Sequence, residues 1–230
     1  MKKAFTLVEV LITLGIVGVV AAITIPTLVA NYKKHVLISQ LKKGYSTISQ
    51  ALTMMYYDTG IDITFANYPN NSFVKVFQQY LLKLGYSSGS GITGIDSDNY
   101  YSSTIYKNYN NTNTGDAASL DEGQIILNDG MAIFIQNSSL AHYGLLITID
   151  VNGIKKNPNK WGHDLFTFRM TDDGRLIPAE APSSTFIYAN QSVYCSKNST
   201  SRANGMGCTY YAINDICPDN PNKGYWDCLP

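Results

Sequence analysis

The chain has 230 residues, 17 Lys+Arg against 17 Asp+Glu, and a formal net charge of zero. That length allows one globular head plus an extended element, or two small domains at most, and the balanced charge excludes a global field that would hold nucleic acid, so no specific nucleic-acid partner is expected. Charged residues are only 15% of the chain against roughly 25% in an average domain, and the abundance of Tyr, Asn, Ser and Thr suits a secreted or surface-displayed head.

The first predicted element is apolar. From Phe5 to Ala30 the chain carries one ionisable group, Glu9. At about 1.5 Å per residue such a helix covers a bilayer core of about 30 Å. It is too long for a plain signal peptide and lacks a small-x-small cleavage site at its far end, so it reads as a retained helix. A carboxylate just inside such a helix costs on the order of 3 kcal/mol on insertion and calls for compensation. The nearest source is a positive group on another copy of the same segment; the alternative is snorkelling to the headgroups. Pro26 removes a backbone donor and presses on the carbonyl of Ala22, which predicts a kink or local melting. Gly15 and Gly18 add soft or closely packing points.

The pattern then turns amphipathic. Ile38, Leu41, Tyr45, Ile48, Leu52 and Met55 recur at spacings of three and four, with Lys33, Lys34, Lys42, Lys43, Ser46 and Thr53 elsewhere around the cylinder. One continuous helix is expected to end near Asp58-Thr59-Gly60, packing on a head in preference to a coiled coil, for which two heptads are too few. A second helix is predicted over Phe73 to Leu84, capped by Asn71 or Ser72 and stopped by Gly85. From Tyr86 to Gly123 the polar Ser/Gly/Asn/Tyr stretch reads as a long surface loop.

Strands follow. Gln124 to Leu127 and Met131 to Gln136 flank Asn128-Asp129-Gly130, a hairpin signal. Leu145 to Val151, ending at Asn152-Gly153, and Leu165 to Met170, ending at Asp172-Asp173-Gly174 before Arg175 to Pro178, complete an antiparallel sheet of about four strands, one face against the first helix. Asp150, Asn152, Asn157, Asn159 and Asp164 gather oxygen side chains on loops and form a weak calcium candidate. An EF-hand is excluded, because Lys155 stands where that loop needs Gly and Trp161 where it needs a bidentate Glu, and turn-making is the commoner use of such residues. No other metal and no cofactor is expected.

All four cysteines, Cys195, Cys208, Cys217 and Cys228, lie in the last 36 residues. Their even number and clustering favour disulfides made outside the cytosol over a zinc site, whose ligand spacings are missing. Short loops close with least entropy, which favours Cys195 with Cys208 and Cys217 with Cys228 among three connectivities. No nucleophile elbow, phosphate-binding loop, dinucleotide turn or HExxH motif occurs. His35, His142 and His163 are scattered and read as solvated or structurally bonded, so an enzyme is not expected.

The run Met1-Lys2-Lys3-Ala4-Phe5-Thr6-Leu7-Val8-Glu9-Val10 resembles the type III signal of type IV pilins and type II secretion pseudopilins. The resemblance implies that a prepilin peptidase cuts between Ala4 and Phe5, that Phe5 becomes the N-methylated terminus, and that Glu9 is the assembly carboxylate. Ala4 stands where the family usually has Gly, and Pro26 matches a proline common in the family's membrane helix. The implied fold is α+β: a leader of residues 1–4, a membrane and filament-core segment of residues 5–30, and a head of residues 31–230. The implied role is a structural or minor subunit of a pilus or pseudopilus, with other pilin or pseudopilin subunits as partners. The implied place is the inner membrane, with the head outside the cytoplasm and the filament in the periplasm or on the cell surface. The alternative is a recognition module at a filament tip, acting in adhesion or DNA uptake through the Tyr-rich loop from Tyr100 to Tyr109.

Overall fold

The computed structural model describes residues 6–69, 72–87, 105–116, 119–138, 144–180 and 190–230. Helix α1 runs from Leu7 to Thr59. The chain divides into two compact units, Met1–Val36 and Leu37–Pro230.

In the first unit, every described side chain from Thr6 to Val29 is exposed except the half-exposed Ala21. Leu7 to Val29 covers about 34 Å at 1.5 Å per residue, and the helix is long and apolar enough to cross a membrane. It is helical without interruption through Pro26, so the local melting entertained for that position is not present. A proline deletes one backbone bond, here the donor to Ala22, and the intact turns on either side hold the helix.

In the second unit the remainder of α1 packs on a sheet. Leu41, Ile48, Leu52 and Met55 are buried, as the periodicity predicts, joined by Ala51. Gly44 sits where α1 crosses β4: a Cβ there would lie 2.5 Å from Ile149 Cδ1, so a larger residue would require the Ile149 side chain to shift. The helix stops at Gly60, whose φ of 65° and N–H to Tyr56 carbonyl bond of 2.8 Å form a left-handed cap.

The sheet has six strands among the described residues, all neighbours in chain order: β1 Lys83–Ser87, β2 Gly123–Leu127, β3 Ala132–Ser138, β4 Gly144–Asp150, β5 Leu165–Met170 and β6 Leu176–Pro178. Every pairing is antiparallel. Its inner face carries Ile125, Ile133, Ile135, Ile147, Ile149, Phe166 and Phe168 into one core with α1. Its outer face carries Phe134 and Leu146 into a second core with Tyr106, Leu120, Trp161 and Met206.

Two expectations are corrected. The second helix, α2, spans only Ser72–Phe77 and continues as a 3-10 turn over Gln78–Tyr80. Leu84, placed on its apolar face by helical spacing, is exposed, because the chain there turns into β1 and pairs with β2. A short apolar run does not distinguish helix from edge strand by spacing alone. The stretch from Tyr86 to Gly123 is also not simply a polar surface: Tyr106, Tyr109, Asn108 and Leu120 are buried. Residues 88–104 of that stretch lie outside the described residues.

The C-terminal part adds α3, Gln191–Tyr194, α4, Cys208–Asn214, and a 3-10 turn, Tyr225–Asp227. Two disulfides close it, Cys195–Cys208 and Cys217–Cys228. Thr209 Oγ1 of α4 accepts the Thr167 amide of β5 at 2.8 Å, and the Trp226 indole donates to the Ala212 carbonyl at 3.3 Å. These bonds hold the cystine-linked segment on the sheet.

Candidate functional site

Glu9 lies in the first turn of α1. The Thr6 amide and hydroxyl both donate to Glu9 Oε2, at 2.8 and 2.9 Å, and the Glu9 amide donates back to the Thr6 hydroxyl at 3.2 Å. This is a reciprocal capping box, which satisfies two of the donors that a helix start leaves open. The carboxylate also faces the positive end of the helix dipole. Within a single chain, Thr6 therefore supplies bonds that sequence reasoning sought only from a second copy. The signal for it was present as Thr-x-x-Glu before an apolar run. Ala4 and Phe5 lie outside the described residues.

Beyond the cap, two further hydroxyls bond within the helix. Thr13 Oγ1 donates to the Val10 carbonyl and Thr24 Oγ1 to the Val20 carbonyl, each at 2.9 Å. These two side chains need no water, which suits hydrocarbon surroundings.

The loop weighed for calcium is the most polar part of the head's interior. Asp150 Oδ1 accepts the amides of Gly153 and Asn152 at 2.8 and 3.2 Å, and its Oδ2 accepts the Tyr106 hydroxyl at 2.9 Å. Asp164 accepts the amides of Asn159 and Lys160, each at 2.7 Å. Asn152 Nδ2 donates to the Asn157 carbonyl at 3.1 Å and Asn159 Nδ2 to the Ile154 carbonyl at 3.0 Å. All five candidate residues thus take part in turn-forming bonds. Among the described residues no group of three or more His, Cys, Asp and Glu side chains comes together as a metal site.

Burial pushes both carboxylates up from the ordinary range, and for Asp150 the charge of Asp164 adds to it. His163 Nε2–H donates to the Tyr109 carbonyl at 3.0 Å. Burial, followed by the nearby Lys160 charge, lowers it to about 4. It is a structural, neutral histidine. His142 lies outside the described residues, as do positions 100–104 of the loop from Tyr100 to Tyr109; in the rest of that loop Tyr106 and Tyr109 are buried.

A family model, the prokaryotic N-terminal methylation motif, matches residues 1–25. No curated protein and no solved structure matches the chain significantly. The motif is the hallmark of the prepilin-type signal of type IV pilins and pseudopilins. The long N-terminal helix, antiparallel sheet and two disulfides make a pilin-like α+β fold. The chain thus carries a prepilin-type N-terminal methylation motif, followed by an apolar helix that fits membrane anchoring.

Proposed function

We propose that the chain is a structural or minor subunit of a type IV pilus or type II secretion pseudopilus. A prepilin peptidase removes Met1 to Ala4, Phe5 is methylated, and the mature helix anchors the subunit in the inner membrane before assembly. The observation that supports this best is the methylation motif over residues 1–25 joined to an apolar helix whose described side chains from Thr6 to Val29 are exposed but for Ala21.

The chemistry is assembly and not turnover. Cleavage creates a positive amine at Phe5, four residues from Glu9, and in a bundle of such helices the amine of one copy pairs with Glu9 of the next. Until then Thr6 holds the carboxylate, which lowers the cost of carrying it in hydrocarbon. Removing one member of a buried pair typically costs about 3 to 5 kcal/mol, because the other charge is left uncompensated.

Glu9→Ala is expected to abolish or severely reduce entry into sheared filaments while the helix still inserts and the head keeps its far-UV circular dichroism. A double change that also blocks the Phe5 amine is expected to be less damaging than the sum of the two singles. Filaments of Glu9→Ala protein at wild-type levels contradict the assignment.

A further inference from the structure

Along the flank of α1, at the free edge of the sheet, the head holds a groove of about 640 Å³. Its volume falls within the roughly 300 to 1,000 Å³ of small-molecule sites. Tyr45 and Tyr56 of α1 stand on one side, the turn from Asp173 to Arg175 and strand β6 on the other, with Asp62 at one end. The groove arises because β6 is the last strand and only three residues long. Tyr45 stacks on Phe168 of β5 at 5.2 Å and fills the inner angle between helix and sheet. Buried Leu52 and Ile63 make the floor.

The lining combines two kinds of surface. Tyr56 and Tyr57 are 45% and 80% exposed, with rings 5.8 Å apart and inclined at 63°, so two aromatic faces are offered at different angles. Polar groups stand beside them. The Asp62 carbonyl, not its carboxylate, accepts from Thr64 and Asn67. The Thr53 hydroxyl donates to the Ser49 carbonyl at 2.8 Å, leaving its oxygen as an acceptor. Arg175 Nε pairs with Asp173 Oδ2 at 2.7 Å, leaving the other guanidinium nitrogens as donors.

The charge balance selects the ligand. Asp173 matches Arg175, and Asp62 leaves the lining net negative, which disfavours a phosphate or carboxylate ligand. An added peptide strand is disfavoured too, because β6 is short and ends at Pro178. A cation would leave the Arg175 donors unused and face their charge, whereas a neutral molecule with apolar C–H faces and many hydroxyls engages the tyrosine rings, the carboxylate and the guanidinium together. We propose that this groove binds a neutral saccharide, with Tyr56 and Tyr57 stacking on sugar faces, Asp62 accepting from sugar hydroxyls and Arg175 donating to them. This goes beyond the filament role and does not depend on it.

The test uses the full chain in a detergent without a sugar headgroup. Saturation-transfer NMR and titration calorimetry are run with cellobiose, maltose, lactose and N,N′-diacetylchitobiose, and with glucose 6-phosphate as the anionic control. At least one neutral disaccharide is expected to bind, with glucose 6-phosphate silent. Its Kd is expected to rise at least about fivefold in Tyr56→Ala, from loss of a stacking face, and to rise also in Asp62→Asn. Because Tyr57 and Asp62 are exposed, Tyr57→Ala and Asp62→Asn keep the wild-type melting temperature and decide the matter if Tyr56→Ala disturbs α1. No signal from any neutral disaccharide at about 10 mM, a concentration that reveals even millimolar affinity, overturns the proposal. So does binding unchanged in both Tyr57→Ala and Asp62→Asn.

Discussion

The segment from Thr6 to Val29 and the head from Leu37 onward use apolar residues in opposite ways. In the first, Leu, Ile and Val side chains all stand exposed, and the polar atoms are satisfied by bonds within three or four residues. In the second, apolar side chains are sealed between helix and sheet, and polar atoms find partners tens of residues away, as Tyr106 does at Asp150 and Thr167 at Thr209. An isolated helix that meets its own hydrogen-bond needs is complete in lipid, whereas the head depends on tertiary closure. Substitutions should therefore act on assembly in one region and on stability in the other.

The largest contrast is expected from truncating a large apolar side chain in each. Phe168→Ala, in the core, should destabilise the head by about 3 to 5 kcal/mol. Leu14→Ala, which is exposed, should leave the head's melting within about 0.5 kcal/mol of wild type. Denaturant unfolding followed by tryptophan fluorescence measures both. An equal effect at the two positions would erase the distinction.

Next in size is the cystine-linked end. Replacing Cys195 and Cys208 together by Ser should cost about 2 to 4 kcal/mol, since the loop is no longer closed in the unfolded chain. The same unfolding assay, with peptide mapping under non-reducing conditions, checks both the cost and the pairing. Smaller again is Tyr106→Phe. It leaves Asp150 Oδ2 without the hydroxyl donor at 2.9 Å, in a wholly buried setting, and should cost about 1 to 3 kcal/mol.

The smallest expected effect is that of pH, because two contributions oppose each other. His163 is lowered to about 4 in the fold from an ordinary value near 6.5. Its contribution is fully present above the unfolded value and is lost as pH falls through about 4. Asp150 and Asp164 are raised, so their contribution is fully present below the unfolded value near 3.9 and is lost as pH rises through the folded ones. Glu180, pushed up to about 8 by burial, adds to the carboxyl trend, which opposes that of His163 in mildly acid solution. His163→Gln should remove the histidine trend and leave a head whose stability only increases as pH is lowered toward 4, read from melting temperatures across that range.

How much of this was legible depends on the range over which the physics acts. The apolar run, the amphipathic stripe from Leu41 to Met55, the stop at Gly60 and the hairpin at Asn128-Asp129-Gly130 are local patterns, and the structure contains each of them. The capping box at Thr6 and Glu9 is equally local, written in the sequence as Thr-x-x-Glu before an apolar run. Strand β1 was not legible, because Leu84 is spaced from Leu81 as on a helix and only pairing with β2 decides otherwise. Nor was the burial of Tyr106 and Tyr109, which rests on Asp150, His163 and Tyr225, residues far away in the chain. The groove beside Tyr56 exists only where a helix flank meets a sheet edge, and no sequence window contains both.

The central claim is that the chain is a prepilin-type precursor, and the mass of the mature protein tests it most directly. Purified from membranes of cells that carry a prepilin peptidase, the intact protein should have lost Met1 to Ala4 and gained one methyl group on the Phe5 amine. The same chain from cells without the peptidase should keep its leader. Retained Met1 in both preparations, or a cut anywhere other than between Ala4 and Phe5, would contradict the account.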